Sequence, residues 1–476
     1  MRSLAIFAIF AFFSLQLTAA SPEKGGYEIK IKLEGYTEPQ LFLGYHYGEK
    51  QYLLDTVEAN ANGFFVFSGD EPLKGGVYLV VMAPDNKFFQ LLITDEEQHF
   101  TAYVNAENPT QGIRFEQAPD NALFYKYLNF LEEKKPLADN LTELINAEED
   151  EKKKNKLEEK RSKIDEDVRA FQDELIARNP KSLTAAIIRA NLPLVTPAEF
   201  DGEGEEQQVK RWRYTQNHYF DNLDLANPYM LRTPFLFQRV DFFIHKLQVQ
   251  HPDTISKAID YVLERMKPAE ETFKFYLINF LNEYARSNIV GMDAVYVHLV
   301  DNYYAKGLAP WTEEDQLQKI IENAQALEPL LIGKKAPNLR LEDREGKPVE
   351  LYDVDAEYTV LYFWRYDCGH CKKSTPIMKE FYEKFKDKGV KIIAVCAKFA
   401  DEVGPCWEYI DENKIGDWMQ LVDPYLRSRF MTVYNIKTTP QIYVLDRNKE
   451  ILSKRIGAEQ LEEVLDKIIE MRQKER

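Results

Sequence analysis

The chain has 476 residues, of which 29% are charged, and 78 Asp and Glu outnumber 61 Lys and Arg for a formal net charge of -17. That balance excludes nucleic acid and anionic membrane surfaces as natural partners, and the length points to about three domains rather than one core. The seven histidines never fall at His-x-x-His or His-x-x-x-His spacing, so neither a metal cluster nor a cofactor is expected.

Residues 1–20 read as a cleaved export signal. Met1-Arg2 gives a short positive start, Leu4 to Leu17 an apolar stretch, and Thr18-Ala19-Ala20 a small-residue cleavage site. The stretch is too short and too interrupted by Ser and Gln to be a preferred membrane span. No later apolar run approaches that length, so the mature chain is expected to carry no stable membrane span.

Residues 21–115 show β patterning. Tyr27, Ile29, Ile31 and Leu33 alternate with Glu28, Lys30 and Lys32, and six further apolar runs follow between Leu41 and Val104. Asn62-Gly63, Gly75-Gly76 and Pro84-Asp85-Asn86 supply turns between them. A β sandwich or open barrel is the expected result. From residue 116 to 330 the period becomes helical. Leu157, Ile164, Val168, Phe171 and Leu175 form one narrow apolar stripe through a Glu/Lys-rich segment. Phe235 to Leu247, Ile255 to Met266, Phe273 to Tyr284, Val295 to Tyr304 and Leu317 to Leu327 continue the pattern, with Thr312 as the expected cap of the last.

Residues 331–476 carry the chemistry. Tyr358 to Trp364 is a continuous β-branched and aromatic run, as expected for a strand covered on both faces. Ile377, Phe381 and Phe385 then recur at helical spacing among Lys and Glu. Between them lies Cys368-Gly369-His370-Cys371. A thiolate in the first turn of a helix meets unpaired backbone N–H groups and the positive end of the helix dipole, which favours its charged form. Cys371, one turn on, can resolve a mixed disulfide formed at Cys368. A cationic imidazole at His370 would stabilise the thiolate further. Cys-x-x-Cys can also be half of a zinc site, but the two remaining cysteines, Cys396 and Cys406, lie ten positions apart and do not supply the second pair. Cys396 ends the apolar run from Lys391 and Cys406 opens an expected helix. They are open to three readings: buried structural cysteines, a second disulfide, or a relay.

Several matches resemble the thioredoxin superfamily, and within it the TlpA-like periplasmic branch. Ile332-Gly333-Lys334-Lys335-Ala336-Pro337 is similar to that branch's opening segment, Phe363-Trp364 precedes the motif and Pro376 follows it. Thr438-Thr439-Pro440-Gln441 resembles the family's cis-proline loop. The β segment is similar to an uncharacterised domain preceding periplasmic thioredoxin domains, and the helical segment to a spacer or docking domain of such proteins. The resemblance implies an α/β thioredoxin fold after an all-α domain and a thiol-disulfide oxidoreductase, reductase or isomerase, located in the periplasm. Its partners would be protein thiols and disulfides and an unidentified redox protein that resets the dithiol. Pro440 would sit against the Cys368 sulfur, and Thr439 and Trp364 would meet the substrate. A binding or scaffold protein that docks partners through the same domain is the rival reading. Two departures stand out. Tyr362 occupies the place of a buried acid, and Ser374 that of a Glu found in close relatives, so the group that deprotonates Cys371 is open among Lys372, Lys373, Asp367 and water.

Overall fold

The computed structural model describes residues 25–200 and 202–474; the expected export signal lies outside them. The described chain divides into two compact units, one running to Val195 with Phe220–Asp224 and Tyr229–Gln238, the other holding the remainder. The helical stretch is thus shared between the two.

In the first unit the strands are β1 (Tyr27–Glu34), β2 (Gln40–Tyr47), β3 (Lys50–Glu58), β4 (Phe65–Gly69), β5 (Gly76–Met82), β6 (Lys87–Ile93), β7 (His99–Asn105) and β8 (Arg114–Glu116). They form two four-stranded sheets, ordered β4-β1-β7-β8 and β3-β2-β5-β6. Alternation puts Ile29, Ile31 and Phe67 of one sheet against Leu41, Leu43 and Val80 of the other in a single core. The result is a sandwich with no closed barrel. Helices α1 (Pro119–Ala147), α2 (Glu151–Arg178) and α3 (Leu183–Ala190) follow. The expected stripe on α2 packs as read: Phe171 and Leu175 meet Tyr127, while Asp150 caps the helix by accepting from the Lys152 and Lys153 N–H groups.

The helices α4 (Glu205–His218), α5 (Leu236–His245), α6 (Pro252–Met266), α7 (Glu270–Ala285), α8 (Asp293–Leu299) and α9 (Glu314–Leu327) come next. Residue 313, not Thr312, is the N-cap of α9, and no side chain caps it. The second unit continues with β9 (Arg340–Glu342), β10 (Pro348–Glu350), β11 (Tyr358–Trp364), α10 (Gly369–Phe385), β12 (Val390–Cys396), α11 (Gly404–Asn413), β13 (Met419–Leu421), α12 (Phe430–Val433), β14 (Gln441–Asp446), β15 (Ile451–Lys454) and α13 (Ala458–Lys474).

The sheet order β13-β12-β11-β14-β15 makes β11 the central strand, parallel to β12 and antiparallel to β14. All seven residues of β11 are buried because both faces are covered. Val360, Tyr362 and Trp364 enter the core shared with Met378 and Phe381 of α10 and Leu461 of α13. Leu361 and Phe363 point the other way, onto Phe430, Tyr434 and Tyr443. Burying aromatic side chains of this size is worth about 2–3 kcal/mol each, so the strand that carries the motif is anchored on both sides. Within the same unit, Lys454 is 2% exposed, and its Nζ donates to Asp293 Oδ2 and to Leu330 O, each at 2.5 Å. Burial pulls the Lys454 pKa down and Asp293 opposes that fall. Removing Asp293 would strand a buried ammonium, which typically costs about 3–5 kcal/mol. That ion pair fastens the start of α8 and the segment after α9 to the end of β15.

Candidate functional site

The end of β11 releases the chain into a short turn, Arg365-Tyr366-Asp367, and α10 starts immediately after it. Cys368 is the N-cap of α10: its sulfur accepts the Cys371 N–H at 3.2 Å, and its carbonyl takes the Lys372 N–H at 3.0 Å. The same sulfur donates its thiol hydrogen to Thr439 O at 3.2 Å. Both cysteines are unbridged, Cys371 buried and Cys368 partly exposed. Burial alone pushes the Cys368 thiol up. Hydrogen bonds from the Cys371 side chain and backbone, the Thr439 side chain and the His370 backbone outweigh it and bring the pKa below its ordinary value. Cys371 has the opposite fate. Burial, reinforced by the neighbouring Cys368, pushes it up to about 12. The outer cysteine is therefore the more readily ionised of the two, and the inner one holds its proton more tightly.

The turn before the motif is neutralised by charges. Arg365 grips Asp367 with two hydrogen bonds, Nε to Oδ1 at 2.9 Å and a terminal nitrogen to Oδ2 at 2.7 Å. Lys398, whose side chain is 7% exposed, adds Nζ to Asp367 Oδ2 at 3.0 Å and to Glu402 Oε1 at 2.6 Å. Arg365 first, and Lys398 after it, hold the Asp367 pKa at about 2. An ion-paired carboxylate of that acidity is no proton acceptor for Cys371. Its negative charge beside Cys368 is offset by two cations.

The expected residues separate as follows. Thr439-Pro440 is a cis peptide next to Cys368, and the Thr439 N–H donates to no protein group among the described residues. His370 is exposed and, with Ser374 and Pro440, lines a cavity of about 610 Å3. Trp364 is 1% exposed and packs on Tyr409, ring centroids 5.3 Å apart. It cannot meet a substrate, which corrects the expectation: a strand covered on both faces leaves its last side chain in the core. Tyr362, at the place of the buried acid, is also enclosed. Its hydroxyl has no hydrogen-bond partner among the described residues, and burial drives its pKa up, with Cys371 adding to the rise. Nearby, Thr375 Oγ1 donates to Cys371 O at 3.0 Å and lies 3.1 Å from the Tyr409 hydroxyl.

Cys396 and Cys406 are joined: their sulfurs are 2.12 Å apart and their Cα atoms 6.4 Å, within the span a bridge requires. Both are buried. The bridge brackets the loop that carries Lys398 and Glu402, the two residues that sequence reasoning missed. Nothing in their local spacing marks them. Only the parallel register, Trp364 beside Cys396 with the Ala397 N–H on Trp364 O at 2.7 Å, brings Lys398 to the turn before the motif.

Comparison with known proteins follows the same divisions. The AhpC/TSA family model matches residues 332–454, a domain of unknown function (DUF5106) residues 150–326, and another (DUF4369) residues 27–124. The thiol-disulfide oxidoreductase ResA of Bacillus cereus (strain ZK / E33L) is 34% identical over 144 residues, 30% of this chain and 80% of that protein. ResA of Bacillus subtilis (strain 168) is 46% identical over 63 residues, 13% of this chain and 35% of that one. Among solved structures, a domain of a possible thiol-disulfide isomerase from Cytophaga hutchinsonii ATCC 33406 is 40% identical, covers 31% of this chain and 98% of its own, and has a TM-score of 0.29. On the extent and identity of the match to the Bacillus cereus protein, the chain belongs to the thioredoxin-like thiol-disulfide oxidoreductases.

Proposed function

We propose that this enzyme works in the periplasm on protein disulfides through the Cys368-Gly369-His370-Cys371 dithiol, as a reductase or isomerase. The observation that carries the reading is the placement of Cys368, capping α10 beneath its free N–H groups and touching Thr439 O. In the reducing direction the Cys368 thiolate attacks one sulfur of a substrate disulfide, and the other substrate sulfur leaves as a thiolate that takes up a proton. The mixed disulfide holds the substrate beside Pro440, where the free Thr439 N–H can pair with an extended substrate backbone. Cys371 then loses its proton and attacks the Cys368 sulfur. The second substrate thiol departs and the enzyme is left with a Cys368–Cys371 disulfide, so two electrons have passed to the substrate. An unidentified redox protein would return them.

Export is supported by the charge and cleavage pattern of residues 1–20 and by the Cys396–Cys406 bridge, a bond favoured in oxidising compartments. N-terminal sequencing of the native protein should find a start just after Ala20, and an intact Met1 on cytoplasmic protein would refute the placement. The proposed organisation is a signal over residues 1–20, a β domain over 21–115, a helical domain over 116–330 and the thioredoxin-like domain over 331–476.

His370 gives Cys368 its backbone N–H, and its imidazole is proposed as a second group that favours the thiolate, so His370→Pro removes both. The reduced form is then less stable. A glutathione redox series should show a potential lower by about 30 mV or more, since 30 mV equals about 1.4 kcal/mol for a two-electron couple. Cys368→Ser should abolish disulfide reduction altogether. An unchanged or raised potential in folded His370→Pro would make His370 a bystander, and full turnover by Cys368→Ser would favour a docking protein.

The second bridge should matter for stability rather than for the first chemical step. Closing a short loop of this kind is worth about 3 kcal/mol, so a Cys396→Ser/Cys406→Ser variant should melt earlier yet keep most of its reductase activity. Collapse of activity in a folded double variant would mean that the pair relays electrons.

A further inference from the structure

The cavity of about 610 Å3 beside Pro440 is not built by the thioredoxin-like part alone: Ala285 at the end of α7 and Asn323 and Leu327 of α9 line it too. This helical wall is fixed in place within its unit. The buried Lys454 ammonium bonds both Asp293 at the start of α8 and Leu330 O just after α9, and the next residue, Arg455, lines the cavity.

The charge of the cavity runs against that of the protein. Lys373, Lys437 and Arg455 line it, and none of the three has an ion-pair partner among the described residues. Glu459 is the single carboxylate among its lining residues. The first turn of α10, whose dipole is positive at this end, opens onto the same space through His370 and Lys373. A chain of net charge -17 thus presents a cationic cleft next to its dithiol.

We propose that this cleft binds an extended polypeptide strand with acidic side chains beside its disulfide cysteine, and that the α7/α9 wall narrows it to one strand. The inference rests on the oxidoreductase reading above and adds a substrate class to it. The free Thr439 N–H would take the strand's backbone, and Lys373, Lys437 and Arg455 its carboxylates. The overall charge of the protein would repel such a strand, so a preference for it must come from the cleft itself.

The test uses the reduced full chain and symmetric disulfide dimers of one short peptide, with Asp, Ser or Lys on both sides of the cysteine. Single-turnover oxidation of the Cys368/Cys371 dithiol is followed at low salt, and each rate is divided by that of dithiothreitol on the same dimer. The Asp dimer should react about tenfold faster than the Lys dimer, a discrimination within reach of a few exposed charges. A Lys437→Glu/Arg455→Glu variant should reverse the order; Lys437→Glu alone should shrink the preference if the double variant does not fold. Ala285→Trp, which crowds the cleft from the helical side, should slow every peptide dimer more than it slows bis(2-hydroxyethyl) disulfide. Equal rates for the Asp and Lys dimers, or an order that charge reversal leaves untouched, would overturn the acidic-strand proposal. Equal slowing by Ala285→Trp on all disulfides would overturn the role of the wall. No reaction with any disulfide would overturn the oxidoreductase reading itself.

Discussion

Everything in this site depends on one sulfur at one helix end. Cys368 replaces the side-chain oxygen that usually caps a helix, and the Cys371 N–H that would otherwise lack a partner points at it. The interaction strengthens when the sulfur is charged, so the fold favours the thiolate wherever it holds α10 in place. The anchoring comes from β11, whose side chains are buried on both faces, and from the Thr439-Pro440 segment that brings a carbonyl to the other side of the sulfur. The same geometry that lowers one cysteine raises the other. Cys371 lies one turn inward, away from solvent, where burial holds its proton.

The second constraint is electrical. Asp367 directly precedes Cys368, and a bare carboxylate there would oppose thiolate formation. Arg365 and Lys398 cancel it, and Lys398 is nearly enclosed with Glu402 as a further partner. The Cys396–Cys406 bridge closes the loop that carries this lysine. It thereby ties the Lys398 segment back to the end of β12. The place that an acid would fill behind Cys371 is a buried tyrosine near two further hydroxyls, Thr375 and Tyr409. Among the described residues that surround the inner cysteine, hydroxyls take the place of a carboxylate.

Much of this was legible in the sequence because it rests on local pattern. The run from Tyr358 to Trp364 is the strand as read, and the strands from β1 to β7 fall where alternation puts them, within a residue or two at their ends. β8 escaped notice because Arg114-Phe115-Glu116 is too short to show a period. The α9 cap moved from Thr312 to residue 313, since a hydroxyl in the right neighbourhood is no guarantee of the right backbone angle. The position of Trp364 before the motif suggests a substrate contact, but tertiary packing turns it inward. Lys398, Glu402 and the helical wall of the cleft depend on contacts between segments distant in sequence. No spacing rule reaches them.

The most direct test of the account is a pH titration of thiolate ultraviolet absorbance in the reduced protein, with Cys368→Ser as the reference that removes the outer thiol. The account predicts one thiolate, lost in Cys368→Ser, that forms below the value of about 8.5 ordinary for cysteine, and no second one until far above it. Two thiols titrating together near that ordinary value would contradict it, because the helix end would then contribute nothing to the charge of Cys368.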